Sequence, residues 1–180
     1  MTNEQQRAIV ITGPVGAGKT STMWALADLL QAHDLSCAGI DMDTLRRYHP
    51  QPSDDPFGNR LGRKHLAFMA ASYFGAGIER VILADVVETT DDREALALAM
   101  GDPGLIVVRL RVPMDTLRQR LHGRESAERL PWYLNCAVEL EEILDANAIG
   151  DLIVEVTEQP PHHVAHEIAA RLGLIDFTAT

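Results

Sequence analysis

A chain of 180 residues, 46% of them hydrophobic, can bury a full core, and its length fits one domain over 1–180 rather than two. A formal net charge of −10 argues against nucleic acid as a main partner, because duplex binding draws most of its affinity from Lys and Arg on phosphates. The N-terminus lacks the basic start and apolar stretch of a secretory signal, and no apolar run approaches the roughly 20 residues that span a bilayer, so a cytoplasmic protein without membrane contact is expected.

In chain order, residues 7–12 (RAIVIT) form a short apolar run that stops at a glycine, as a buried strand of a parallel sheet does. Over 20–31, Met23, Leu26, Ala27 and Leu30 recur at helical spacing, so the glycine-rich segment in between is flanked by strand and helix. Residues 36–40 read as a second strand that delivers Asp41-Met42-Asp43 to its end, and Pro50, Pro52 and Pro56 make the following loop stiff and non-helical. A helical pattern over 61–74 is closed by Gly75 and Gly77, and 81–84 is a third strand. Asp91 and Glu94 have capping-box spacing for a helix reaching about Met100, 105–110 (LIVVRL) is a fourth strand, and Pro113 opens another helix. Helical texture over 133–146, a fifth strand at 152–156 and a closing helix over 161–172 complete the pattern. This alternation predicts an α/β fold, a five-stranded parallel sheet with helices on both faces, whose ligands bind beyond the C-terminal strand ends.

At the first such end, Gly13-Pro14-Val15-Gly16-Ala17-Gly18-Lys19-Thr20 matches the Walker A pattern G-x-x-x-x-G-K-[ST]. The backbone of Gly13, Val15, Gly16, Ala17, Gly18, Lys19, Thr20 and Ser21 is expected to cradle the phosphates of a nucleoside triphosphate at a helix N-terminus. Lys19 would reach the β- and γ-phosphates as a catalytic cation, and the Thr20 hydroxyl would sit on Mg²⁺. No N-K-x-D guanine-reading motif is present, which favours ATP over GTP. Val81-Ile82-Leu83-Ala84-Asp85 has the form of a Walker B strand and makes Asp85 a second candidate for the metal, a helix cap or turn former being the alternative. Asp41 and Asp43 are two apart, so in extended chain both carboxylates face one side of the crevice, where a carboxylate can accept the proton of an attacking hydroxyl. Alternatively, Asp43 caps a helix carrying Leu45 and Arg46.

With these residues in place, the sequence resembles the small P-loop kinases of the adenylylsulfate kinase, gluconate kinase and chloramphenicol phosphotransferase kind. Asp41-Met42-Asp43-Thr44-Leu45-Arg46 is similar to the D-G-D-N-x-R segment of adenylylsulfate kinases, and Asp43 to Pro50 has the Asp-to-Pro spacing around the catalytic Asp of chloramphenicol phosphotransferases. The resemblance implies a nucleoside-monophosphate-kinase-like fold, with Asp43 as general base and Arg46 as a contact to an anionic group. It also implies a short lid over about 120–132, in which Arg120 and Arg124, one helical turn apart on one face, stabilise the transferring charge. The stretch from Thr157 to Pro161, after the fifth strand, falls where such kinases hold adenine against backbone. Phe57 and Asn59, with Asp41, Asp43 and Arg46, are the candidate acceptor contacts, an aromatic beside polar groups suiting a small organic molecule.

The expected function is thus ATP- and Mg²⁺-dependent transfer of a phosphoryl group to a hydroxyl of a small-molecule acceptor, by a monomer or homodimer. A nucleotide-dependent regulatory ATPase and a nucleoside or nucleotide kinase remain alternatives, since a phosphate site alone does not define the reaction. Cys37 and Cys136 lie outside any CxxC spacing and read as free thiols, and His162, His163 and His166 read as solvent-facing.

Overall fold

The structure, a computed structural model, describes residues 6–175. Five parallel strands run in the order β2-β3-β1-β4-β5, with β1 spanning Arg7–Thr12, β2 Cys37–Asp41, β3 Arg80–Ala84, β4 Gly104–Arg111 and β5 Leu152–Glu155. The helices between them are α1 (Lys19–Ala32), α2 (Met42–Leu45), α3 (Asn59–Gly75), α4 (Thr90–Ala99), α5 (Met114–Arg124), α6 (Leu130–Ala146) and α7 (Pro161–Arg171).

Strand periodicity divides the core. Ile9 and Ile11 of β1 join α1 and α7 on one face, while Ala8 and Val10 join α3 and α4 on the other. The phosphate-loop strand lies at the centre of the sheet, and its register places Ala84, the last residue of β3, beside Ile11 and Arg109 of β4 beside Thr12. Helix α6 belongs to both clusters, contributing Ala137 to one and Leu144 to the other. Arg109, 1% exposed within β4, donates to Glu141 at 2.8 Å and pairs with Asp145 at 2.8 Å, which ties α6 to β4.

Local chemistry corrects four expectations. The α4 capping box uses Thr89 and Asp92, not Asp91 and Glu94: the Thr89 hydroxyl accepts from the Asp92 N–H, and the Asp92 carboxylate accepts from the Thr89 N–H. Helix α6 begins at Leu130, ahead of Tyr133, with proline in its first turn where no amide partner is required. The extended chain expected through Asp41-Met42-Asp43 turns at Asp41 into the short helix α2. Asp41, not Asp43, caps that helix, accepting from the Asp43 N–H at 2.9 Å. The end of α3 is as expected. Gly77, at φ +87, donates to the Phe74 carbonyl, and the Ile78 N–H donates to Tyr73, a Schellman closure that favours glycine at this position. No helix among the described residues is long and apolar enough to cross a membrane.

Candidate active site

The loop between β1 and α1 is built on Gly13, where φ is +146 and an added Cβ would lie 2.7 Å from the Leu110 carbonyl oxygen, so only glycine lets the chain pass this close to β4. Beyond the loop, among the described residues, no side chain caps the first turn of α1, which leaves its N–H groups turned toward the loop. Lys19, half-buried in that first turn, donates to the Gly13 carbonyl at 2.9 Å and the Pro14 carbonyl at 3.1 Å. Burial lowers its pKa to about 8, against the opposing pull of Asp43 and then Asp85, while Arg124 and Arg46 depress it further. The ammonium is thus short of counter-charge at the point where a phosphate would supply it. Cradle, helix terminus and cation together fit a polyphosphate.

The Thr20 hydroxyl donates to Asp41 Oδ2 at 2.9 Å, joining the start of α1 to the end of β2. This oxygen pair suits Mg²⁺, which favours carboxylates, hydroxyls and retained waters. Asp85, the expected second metal ligand, is instead engaged within the chain. Its Oδ1 accepts from the Arg46 guanidinium and, at 2.7 Å, from the Val86 N–H. Burial raises the Asp85 pKa while Arg46 and the Val86 N–H oppose the rise. Arg46 also donates to Asn59 Oδ1 at 2.8 Å and to the Met42 carbonyl at 3.1 Å, so two expected acceptor contacts, Arg46 and Asn59, are bonded to each other. Asp43, with its side chain 87% exposed, lies 3.6 Å from Arg46 Nε and stands otherwise open at the crevice. Phe57 is 63% exposed in the loop before α3. The neighbouring Asp55 is buried, and its carboxylate accepts from the N–H groups of Asn59 and Arg60, a helix-capping role.

On the other flank, a cavity of about 290 Å³ lies between the phosphate loop, the first turn of α1, α5 and the segment after β5. Arg120 braces it. One guanidinium nitrogen donates to the Ala17 carbonyl at 3.2 Å, and the other to the Thr157 carbonyl at 2.8 Å. Arg124 lines the same cavity but is held by Glu125, to which its Nε donates at 2.7 Å. Thr157 does not line the cavity. Its N–H is taken by Gln159 Oε1 at 2.8 Å, and Gln159 with Val156 forms that wall. Arg118 faces away, paired with Asp115 on the surface of α5.

The structure therefore brings together Lys19, Thr20, Asp41, Asp43, Arg46 and Asp85 on one side of the loop, and Ser21, Arg120 and Arg124 on the other. Sequence reasoning missed the Arg46–Asp85 pair, whereas Gln159 and Pro161, which line the cavity, fall inside the expected 157–161 segment. Adjacent strand ends could have revealed the pair, had the β2–β3 neighbourhood been known.

The Zeta toxin family model matches residues 1–57, the stretch that holds the phosphate loop and the Asp41–Asp43 turn. No curated protein matches the chain. Among solved structures, shikimate kinase from Acinetobacter baumannii aligns over 95% of this chain and 96% of its own at 22% identity and a TM-score of 0.63. A gluconokinase from Sinorhizobium meliloti 1021 aligns over 94% and 93% at 23% identity and a TM-score of 0.60, and a sugar kinase from Janibacter sp. HTCC2649 over 97% and 99% at 20% and 0.61. Strand order, phosphate loop and near-complete alignment agree: the chain has the α/β fold of the small P-loop kinases.

Proposed function

We propose that this protein is an ATP- and Mg²⁺-dependent phosphotransferase that moves the γ-phosphate to a hydroxyl group of a small molecule. The observation that carries the reading is the seating of the Asp41–Asp43 turn on the phosphate loop. Asp41 is bonded to Thr20, which leaves Asp43 open beside Lys19 with no structural bond that would occupy its carboxylate fully.

In this reading Lys19 exchanges the carbonyls of Gly13 and Pro14 for phosphate oxygens, gaining the charge partner its burial lacks. Thr20 and Asp41 hold Mg²⁺, which when bound neutralises phosphate charge; Asp85 acts on the site through Arg46. Asp43 accepts the proton of the acceptor hydroxyl. Arg46, fixed by Asp85 and Asn59, keeps the Asp43 turn in place, and Phe57 edges the acceptor opening. Arg120 sets the distance between phosphate loop and the Val156–Gln159 wall, where the nucleotide base would lie, and Arg124 meets the charge that develops on transfer.

The test is ATP consumption with Mg²⁺, alone and with a panel of hydroxyl-bearing acceptors that includes nucleosides, using Lys19→Ala as control. Acceptor-stimulated turnover should fall on the order of 10²–10⁴-fold in Asp43→Asn with ATP affinity little changed. Full activity in Asp43→Asn would remove the base assignment, and slow, acceptor-independent hydrolysis throughout would replace the kinase with a regulatory ATPase.

A further inference from the structure

The lid connection over 125–129 joins α5 to α6, and one aromatic ring gathers both of its ends. Tyr133 is half-buried against the core cluster that also receives Val15 of the phosphate loop. The Arg124 guanidinium carbon, just before the connection, lies 5.8 Å from the Tyr133 ring centroid. That of Arg129, at its far end, lies 5.1 Å away, and Arg129 also donates to the Tyr133 hydroxyl at 2.6 Å. Trp132 meets the ring edge-on at 4.9 Å. Both guanidiniums are within the range at which a cation is drawn to an aromatic face. Arg124 alone of the two lines the cavity beside the phosphate loop.

A long, largely exposed arginine loses side-chain entropy whenever it is held in one place, so something must limit its rotamers if it is to meet phosphate at little further cost. Two neighbours limit Arg124: Glu125, only 12% exposed, which accepts from its Nε, and the ring of Tyr133. Glu125 competes with any bound anion for the guanidinium. The ring does not, because a π face attracts the cation while leaving its N–H groups free to donate.

We propose that Tyr133 is the positioning residue of the lid: its ring holds Arg124 at the mouth of the nucleotide cavity, and Arg124 trades Glu125 for the nucleotide's phosphates. The proposal rests on the nucleotide reading of that cavity. It separates two parts of Tyr133, the ring serving Arg124 and the hydroxyl serving Arg129.

The experiment is a double-mutant cycle on ATP binding in the presence of Mg²⁺, with wild type, Arg124→Ala, Tyr133→Leu and the double variant, plus Tyr133→Phe. Leucine keeps apolar bulk against the core, and a far-ultraviolet spectrum and denaturation midpoint check each fold. Arg124→Ala should weaken ATP several-fold, and Tyr133→Leu on the order of 2–5-fold. The double variant should be no weaker than Arg124→Ala alone, and Tyr133→Phe, which retains the ring, should bind as wild type does. Additive losses, no loss in Tyr133→Leu, or a Tyr133→Phe variant as weak as Tyr133→Leu would each overturn the assignment. Failure of the underlying reading looks different: wild type would not bind ATP, or Lys19→Ala would bind it equally well.

Discussion

If burial holds the Lys19 pKa near 8, ATP binding must become pH-dependent in a range where an ordinary lysine is silent. The sign follows from which form binds. The ammonium is the phosphate partner, and bound phosphates raise its pKa. Below pH 8 the free protein already carries the charge, whereas above it each binding event must take up a proton, so affinity falls as pH rises. With a free-state pKa of about 8, the protonated fraction drops from about 0.76 at pH 7.5 to about 0.03 at pH 9.5, a loss of about 25-fold in affinity or ~1.9 kcal/mol. With the usual lysine value of 10.5 the same span changes affinity by about 1.1-fold. Titration calorimetry at pH 7.5 and 9.5, in pairs of buffers with different ionisation heats, reads both quantities: proton uptake should rise from about 0.25 to nearly one per ATP. Lys19→Arg, which stays charged, should bind more weakly yet flatten the profile. A flat wild-type profile would refute the reasoning, and so would an equally steep one in Lys19→Arg.

Two further outcomes follow from the acceptor side. Asp85→Ala leaves the Arg46 guanidinium, only 17% exposed, with Asn59 and a more distant Asp43, and should cost about 3 kcal/mol of stability, read from the denaturant midpoint of the free protein; Asp85→Asn should cost less. The Arg46 guanidinium, the one that lies beside Asp43, is already matched by Asp85, so kcat/KM should favour neutral or amine-bearing acceptors over acids of the same skeleton, and an acid that outperforms its neutral counterpart would contradict this.

The sheet was legible because its strands are apolar runs ended by turn residues, a signal that survives without knowledge of neighbours: 7–12 matches β1, and the other strands lie within about two residues of their expected limits. The phosphate loop was legible for a related reason, since its geometry is set by glycines within eight consecutive residues. What lay hidden depends on contacts across the chain. A two-residue spacing puts Asp41 and Asp43 on one side of a strand, but gives no warning that Asp41 will cap a helix and turn Asp43 out of line. Arg120 bonds to main-chain carbonyls, which every residue possesses, so no side-chain pattern announces its targets. Arg109 could have been found: an arginine within LIVVRLR demands a buried partner, and Glu141 and Asp145 stand one turn apart on the next long helix.

Two arginines explain how this site can be ordered although its parts come from separate crossovers. Arg46 leaves α2, just beyond β2, and reaches Asp85 at the end of the adjacent β3 and Asn59 at the start of α3, which fixes the Asp41–Asp43 turn against the sheet. Arg120 leaves α5, beyond β4, and reaches the phosphate loop after β1 and the segment after β5, which fixes the cavity between them. Between them they link the ends of all five strands, and their own hydrogen bonds are largely satisfied in doing so. The groups left with adaptable partners are Lys19, Asp43 and Arg124: an ammonium on loop carbonyls, an exposed carboxylate and a guanidinium on one glutamate. A phosphoryl-transfer site needs this division, since positioning groups must be rigid before substrate arrives, while reacting groups must exchange protein partners for substrate without losing more than they gain.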